Sequence, residues 1–319
     1  AFLVNGVWSL LLEDRSVLTY GFYYAYNGMV AFTTAVLCGW LGRRIVNWTL
    51  VSVICGLSLQ ISVSGIFEIV GARRTLLFNN PVQLAVYAVL LSSIFWVLFP
   101  KIHLSRWLSM LTPAAVYGTG AYLAAIAVSR AGVLAMILLI LLQSLARAKY
   151  MISALVLAGA VLWFGVGDEV SKSVNNRFID KSQSFTEELQ HRGYDRIWHY
   201  PEHLLVGAGE GAFERFSDRE LHSTYGTVLF SYGIVGSILF ARIFWQMFCQ
   251  YGIASLLYLI PAFAFGSTEN GLRHSEFWIL IVLICFISYQ ARSANAGQFL
   301  HGRLSSCAVS QRRVRPSRQ

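Results

Sequence analysis

Two arginines in a polar stretch of the chain have the type and spacing needed to bind phosphate. Arg192 and Arg196 stand four residues apart in the sequence HRGYDRIW at residues 191–198, so they would share one face of a helix. A guanidinium group binds phosphate or pyrophosphate oxygens through two hydrogen bonds and keeps its charge. The alternative is a solvated surface helix in which one of the arginines pairs with Asp195 or Glu188.

A histidine that could transfer a proton follows these arginines. His222 lies in the sequence LHSTYG at residues 221–226, directly before a strongly apolar segment at 227–248. An unperturbed imidazole has a pKa of about 6.5, which suits a general base near neutral pH. The alternative is an ordinary helix start, capped by Ser223 or Thr224, in which His222 has no catalytic role.

Three further arginines stand beside apolar segments. Arg130 lies in SRAG at residues 129–132, between two apolar segments. An arginine at such a place usually faces protein or a polar cavity, or else extends its charge to the membrane surface. Arg73 and Arg74 precede the sequence FNNPVQLA at residues 78–85, whose Asn-Pro pair also fits an ordinary turn.

No residue pattern predicts a metal site. His199 and His203 are four residues apart, but Pro201 lies between them and the HExxH order of zinc proteases is absent. The chain has no CxxC pair, no GxxxxGK[ST] phosphate loop and no DxD or other acidic cluster typical of a sugar-nucleotide enzyme. We therefore expect no metal in the site.

The composition is that of a polytopic membrane protein. Of 319 residues, 56% are hydrophobic and 13% are charged, and the mean hydropathy is +0.55. Soluble domains carry about 25% charged residues, so a soluble or a disordered chain is excluded. The net charge of +9 comes from short basic loops and a basic tail, which indicates membrane orientation and not nucleic-acid binding.

Hydropathy predicts an all-α fold with about nine transmembrane helices. We predict a first membrane region at 1–166, a long loop carrying the site at 167–224, a second membrane region at 225–290 and a basic, disordered tail at 291–319. Because the chain begins with Ala1 inside an apolar segment, we expect that preceding helices are missing. The predicted spans are residues 20–41, 48–70, 83–100, 107–128, 131–146, 150–166, 225–248, 252–267 and 276–290.

Alternating these spans gives one consistent orientation. The connections after 41, after 100 and after 146, together with the tail, contain lysine and arginine but no aspartate or glutamate. The positive-inside rule therefore places them in the cytoplasm. The loop 167–224 and the segment with Glu269, Arg273 and His274 then lie outside, where most of the reactive side chains collect.

Five short motifs in this order resemble the superfamily of bacterial O-antigen ligases and polysaccharide polymerases. The resemblance covers roughly residues 70–240 by motif and most of the chain by hydropathy. The chain has His222-Ser223 where many relatives have histidine-asparagine. The matching pieces are Arg73-Arg74 with FNNPVQLA at 78–85, SRAG at 129–132, Arg192 with RIW at 196–198, LVGAGEGAF at 205–213, and HSTY at 222–225 followed by YGIVG at 232–236.

The resemblance implies a glycosyltransferase of the bacterial inner membrane whose active site faces the periplasm. Its donor would be a glycan on undecaprenyl pyrophosphate, and no cofactor, nucleotide sugar or metal would be needed. By resemblance, Arg130 and Arg192 stabilise the leaving pyrophosphate, with Arg196 as the alternative to Arg192. His222 orients or deprotonates the acceptor hydroxyl, and Arg73 and Arg74 support donor binding.

The acceptor separates the two activities of this superfamily. A polymerase joins repeat units to each other, whereas a ligase transfers finished glycan to lipid A-core or to protein. The sequence RGYDR with GAGEG and His222-Ser223 is more similar to polymerases. Expected partners are the glycan donor, a glycan or lipid A-core acceptor, the lipid bilayer, and a flippase and chain-length regulator. The competing classes are a polytopic transporter of a glycan or lipid, and an assembly subunit without catalysis.

Overall fold

The computed structural model of the chain describes residues 1–64, 75–146, 189–190, 192–216 and 220–312. Within these residues the fold is all helical and contains no strand, which confirms the predicted fold class. Single helical turns at Arg196–His199 and His203–Val206 lie in the loop. The main helices are α1 Phe2–Leu12, α2 Arg15–Leu41, α3 Arg44–Ser64, α4 Pro81–Leu98, α5 Arg106–Ile126, α6 Arg130–Ala146, α7 Thr224–Tyr251, α8 Ile253–Leu257, α9 Ile260–Gly266 and α10 Ser275–Arg312.

Four helical segments are long and apolar enough to cross a membrane. They are Arg44–Val63, Pro81–Lys101, Thr224–Tyr251 and Ser275–Ser293. Two apolar helices, Phe2–Leu12 and Arg130–Leu145, are shorter. The chain thus has the helices of a membrane protein, while the predicted number of nine spans is not confirmed.

The remaining predicted spans have different outcomes. Segments 20–41 and 107–128 form helices α2 and α5, and α5 contains Pro113 in its interior. Segment 252–267 is divided into the short helices α8 and α9, where Pro261 stands at the start of the second. Segment 150–166 lies outside the described residues. The backbone of α10 is helical to Arg312, through residues for which the sequence predicted disorder.

Helix α4 is the centre of the bundle. Fourteen of its 18 residues are buried, and it packs against α3, α5, α6, α9 and α10. Its start is set by Asn80, whose side chain accepts a hydrogen bond from the backbone N–H of Val82 at 2.9 Å, with Pro81 as the first helical residue. The Asn-Pro pair of the sequence is therefore a helix cap.

Helices α4, α7 and α10 begin at the same end of the bundle. At their other end, Tyr258 contacts Trp96 of α4 at 4.7 Å between ring centroids, and Arg292 of α10 lies 5.9 Å from the ring of Tyr251 in α7. We call this second end, which also carries Lys101, the basic end. The first end, where residues 192–216 and 220–223 pack, is called the loop end.

Helix α7 is interrupted at Gly233, which has φ 67° and ψ −170°. The interruption frees the carbonyls of Phe230 and Ser231, which accept hydrogen bonds from the N–H groups of Ala208 and Gly209, each at 2.9 Å. A Cβ atom at Gly233 would lie 2.5 Å from the carbonyl oxygen of Leu205. The glycine therefore lets the loop backbone complete the hydrogen bonding of a broken membrane helix.

Candidate functional site

The described residues 192–216 and 220–222 fold back onto the segment that joins α9 to α10. Arg192 donates from Nη1 to the carbonyl of Thr268 at 2.9 Å, and the hydroxyl of Tyr194 donates to the carbonyl of Ser267 at 2.8 Å. The backbone N–H of His222 donates to the carbonyl of Arg192 at 3.1 Å. Two of the site residues predicted from separate motifs are therefore adjacent.

The start of α7 fixes His222 beside the same segment. Ser223 caps α7 by accepting a hydrogen bond from the N–H of Gly226 at 3.2 Å, as one of the two sequence interpretations expected. The hydroxyl of Thr224 donates to the carbonyl of Glu269 at 3.0 Å and accepts from the N–H of Gly271 at 2.8 Å. The hydrogen bonds that fix the start of α7 thus also hold His222 beside the segment that joins α9 to α10.

His222 has an acidic neighbour that the sequence motifs did not assign. Its Nδ1 atom lies 3.9 Å from Oε2 of Glu269, and the two side chains are 44% and 25% exposed. Burial and the negative charge of Glu220 raise the pKa of Glu269 to about 7, although Arg273 and Arg192 act in the opposite direction. The site therefore holds a carboxyl group that titrates near neutral pH beside an imidazole.

The only sequence signal for Glu269 was its position. It follows a predicted span on the predicted outer side, together with Arg273 and His274. No motif joins it to His222, because 46 residues, including the whole of α7, separate the two positions. Only the packing of α7 against the segment after α9 brings them together.

A buried ion-pair network lies below this surface. Glu210 is 3% exposed and receives hydrogen bonds from the hydroxyl of Tyr232 at 2.6 Å, from Nδ2 of Asn270 at 3.0 Å and from Nε of Arg273 at 2.7 Å. Arg273 also pairs through Nη1 with Glu220. Burial lowers the pKa of Arg273, but Glu210 and Glu220 more than offset this and raise it above its ordinary value. The network clamps the glycine-rich loop to the start of α10.

Arg196 lines the same small cavity as Glu220 and Arg273. It is 4% exposed, and its guanidinium carbon lies 5.5 Å from the ring centroid of Phe216 and 6.0 Å from that of Phe213. Its Nε and Nη2 atoms have no hydrogen-bond partner among the described residues. Burial lowers the pKa of Arg196, and Asp195 opposes this. Arg196 thus belongs to the aromatic interior of the loop, whereas Arg192 lies at its half-buried surface.

Arg130 begins α6 at the loop end. The other end of α6 is fixed because Gln143 lines one cavity of about 480 Å³ with Lys101 and Arg292 at the basic end. A Cβ atom at Gly132 would lie 2.8 Å from Cβ of Ala85, near the start of α4. Arg130 therefore shares an end with Arg192 and His222. Arg73, Arg74 and His191 lie outside the described residues.

His203 packs among aromatic rings. Its ring centroid lies 5.5 Å from those of Trp8 and Phe216 and 5.7 Å from that of Phe230. Burial lowers the pKa of His203, which favours the neutral imidazole. In the part of the chain that the structure describes, no group of three His, Cys, Asp or Glu side chains could hold a metal ion.

The loop end therefore combines a histidine, a carboxyl group that titrates near neutral pH and an arginine within one small surface. Such a set can take a proton from a hydroxyl group and stabilise an anion. The chain matches no family model, and no curated protein is similar to it in sequence.

Proposed function

We propose that the chain is a membrane glycosyltransferase that takes its donor glycan from undecaprenyl pyrophosphate, and that it is a repeat-unit polymerase for a surface polysaccharide. The observation that carries this proposal is the adjacency of His222 and Arg192, joined by a backbone hydrogen bond of 3.1 Å. A base and an anion-binding cation are the two groups that transfer from a pyrophosphate requires.

In the proposed reaction, the acceptor hydroxyl oxygen attacks the anomeric carbon of the donor sugar. The bond from this carbon to the pyrophosphate oxygen breaks, and the electron pair leaves with undecaprenyl pyrophosphate. The hydroxyl proton passes to Nε2 of His222. Glu269 lies on the Nδ1 side of the ring, where its carboxylate would orient the imidazole and stabilise the imidazolium that forms. Both charges that develop then have a neighbour of opposite sign.

The arginines have separate proposed roles. Arg192 and Arg130 would bind the leaving pyrophosphate, and Arg73 and Arg74 would support the donor. Arg192 is favoured over Arg196 because Arg192 lies beside His222, whereas Arg196 is buried between aromatic rings. A buried guanidinium of this kind can position the loop but has little surface to offer a lipid pyrophosphate.

The proposed location is the bacterial inner membrane, with the loop end facing the periplasm. The connections at the basic end carry Arg43, Arg44, Lys101 and Arg106 and no acidic residue. This orientation can be tested with single cysteines in a cysteine-free variant. Glu202→Cys at the loop end should react with an impermeant thiol reagent added outside the cell, and Arg106→Cys should react only after permeabilisation. The reverse pattern would contradict the orientation.

A transporter remains the second candidate because α7 is interrupted at Gly233, and broken helices are common in transporters. The described ionisable residues argue against it: apart from Arg242 within α7, they collect at the ends of the bundle, whereas transport sites lie near the middle of the membrane. A ligase would use the same site with lipid A-core as acceptor.

One experiment separates these functions. Lipid-linked glycans are analysed by gel in cells that lack the protein and in cells that regain it or carry His222→Gln. A polymerase predicts single repeat units until the active protein restores a length ladder. A ligase predicts a normal ladder that stays on undecaprenyl pyrophosphate. A ladder that returns equally with the His222→Gln variant would contradict both catalytic proposals.

A further inference from the structure

A large cavity lies far from His222, at the basic end. It has a volume of about 910 Å³ and lies between α3, α5 and the turn that follows α4. This volume is within the range of about 300–1,000 Å³ found for small-molecule sites. The proposed glycan transfer at the loop end makes no use of it.

The mouth of the cavity is basic. Arg43, Lys101 and His103 line it, and no lining residue is acidic. The sequence has no aspartate or glutamate at all between residues 15 and 64 or between 75 and 146. An anion at this mouth would therefore meet two permanent positive charges and no nearby carboxylate from either wall.

The wall of the cavity is apolar and runs along the membrane direction. Val46, Leu50 and Ile54 recur every fourth residue on one face of α3, and Leu108 faces them from α5. At 1.5 Å per residue, the stripe on α3 is about 12 Å long. It therefore reaches less than halfway across a hydrocarbon core of about 30 Å.

Exposed tryptophans indicate where the basic mouth lies relative to the surface of the bilayer. Trp40, Trp48 and Trp107 are 81%, 65% and 75% exposed and lie near the ends of α2, α3 and α5 that carry the cavity. Tryptophan side chains collect where the bilayer meets water. The basic mouth is thus at headgroup level, and the deeper part of the apolar stripe, at Leu50 and Ile54, is at acyl-chain level.

From this arrangement we propose that the cavity binds one anionic phospholipid of the bilayer. Its phosphate would lie between Arg43 and Lys101, and an acyl chain would lie along Val46, Leu50 and Ile54. The charge selects an anionic headgroup, and the adjoining apolar wall favours a lipid over a soluble phosphate. The site is independent of the proposed glycan transfer, because it lies at the opposite end of the bundle.

The test measures lipid binding by the full chain, purified in a neutral detergent, with native mass spectrometry. The probes are phosphatidylglycerol and phosphatidylcholine with identical acyl chains. The wild-type protein should retain phosphatidylglycerol preferentially. The double variant R43Q/K101Q should bind it at least about tenfold more weakly, since each cation near a headgroup contributes appreciably to binding. Both side chains are exposed, so folding should be retained.

The matched control is R44Q/R106Q, which removes the same charge from two basic residues at the same end that do not line the cavity. It should keep the wild-type affinity. Equal losses in both double variants would mean diffuse surface attraction and would overturn the site. Displacement of the lipid by glycerol phosphate at equal concentration would overturn the role of the apolar wall. Added salt should weaken phosphatidylglycerol binding to the wild type, and salt-independent binding would contradict the charge argument.

Discussion

Nδ1 of His222 lies 3.9 Å from Oε2 of Glu269, although the two residues belong to different connections of the bundle. Both are held by the start of α7, because Thr224 bonds through its N–H and its hydroxyl to the carbonyl of Glu269. Each residue of the pair can therefore be replaced separately. Replacing His222 should change the rate of glycan transfer, and replacing Glu269 should change how stability depends on pH.

Replacing His222 tests the base. His222→Gln keeps a polar side chain of similar size and removes the group that accepts the proton, so glycan transfer should fall about a hundredfold to ten-thousandfold. The release of undecaprenyl pyrophosphate by the purified protein measures this rate. His199→Gln is the control, because the His199 side chain is 68% exposed and lies beside Asp195. Equal rates in the two variants would remove His222 from the mechanism.

Glu269 should make stability depend on pH. Its pKa is about 7 in the folded protein, against an ordinary value of 4.5. The folded state therefore keeps a proton that the unfolded chain releases, and the free energy of unfolding falls as pH rises from about 4.5 to about 7. Glu269→Gln removes this pH-dependent loss. Above pH 7, its free energy of unfolding should therefore exceed that of the wild type by up to about 3 kcal/mol.

Thermal unfolding in detergent at pH 4 and pH 8 measures this effect. The stability difference between Glu269→Gln and wild type should be larger at pH 8 than at pH 4. Glu13→Gln, at an exposed position, should show no such change. A difference that is the same at both pH values would mean that Glu269 has an ordinary pKa.

Methionine substitutions at Arg192 and at Arg196 should have different effects on activity. Arg192→Met removes the hydrogen bond to Thr268 and the proposed pyrophosphate contact, so activity should be largely lost. Arg196→Met breaks no hydrogen bond of the described side chains and removes a buried charge, so it should keep activity. Its stability should change by no more than about 1 kcal/mol, the size of a cation–π contact. The reverse pattern would assign the pyrophosphate to Arg196.

Because α7 is interrupted at Gly233, we expect substitution of this glycine to destabilise the protein. Gly233→Ala would place Cβ at 2.5 Å from the carbonyl oxygen of Leu205, at a backbone conformation that only glycine adopts readily. The conformation alone should cost about 1–3 kcal/mol, and the contact adds to this. Gly28→Ala in α2 has open space around its Cβ and should be neutral or slightly stabilising. Equal melting temperatures would argue that the loop does not pair with α7.

The carboxylate of Glu210 should be the most sensitive part of the network. Glu210→Gln removes one of the two carboxylates that pair with the Arg273 guanidinium, and breaking a buried pair from one side costs about 3–5 kcal/mol. Tyr232→Phe removes one hydrogen bond to the same carboxylate and should cost about 1 kcal/mol. Unfolding of both variants in detergent gives the ranking, and a larger loss in Tyr232→Phe would contradict it.

Hydropathy alone determined the all-helical class and the segments that became α3, α4, α7 and α10, because the bilayer makes the length of an apolar run a direct structural requirement. Ser223 as a helix cap was likewise readable, since capping is local. The split of 252–267 and the break at Gly233 were not readable, because both depend on what packs against them.

The sequence also named Arg192 and His222 from their chemistry, but their adjacency and the nearness of Glu269 are properties of the tertiary structure. Residue type and spacing carry information over one or two helical turns, whereas these contacts join connections that are separated by whole helices. The same holds for the pKa of Glu269, which depends on burial and on Glu220 beside it. The sequence determines which ionisable groups are present, whereas their pKa values depend on burial and on neighbouring charges, which only the packing of the helices creates.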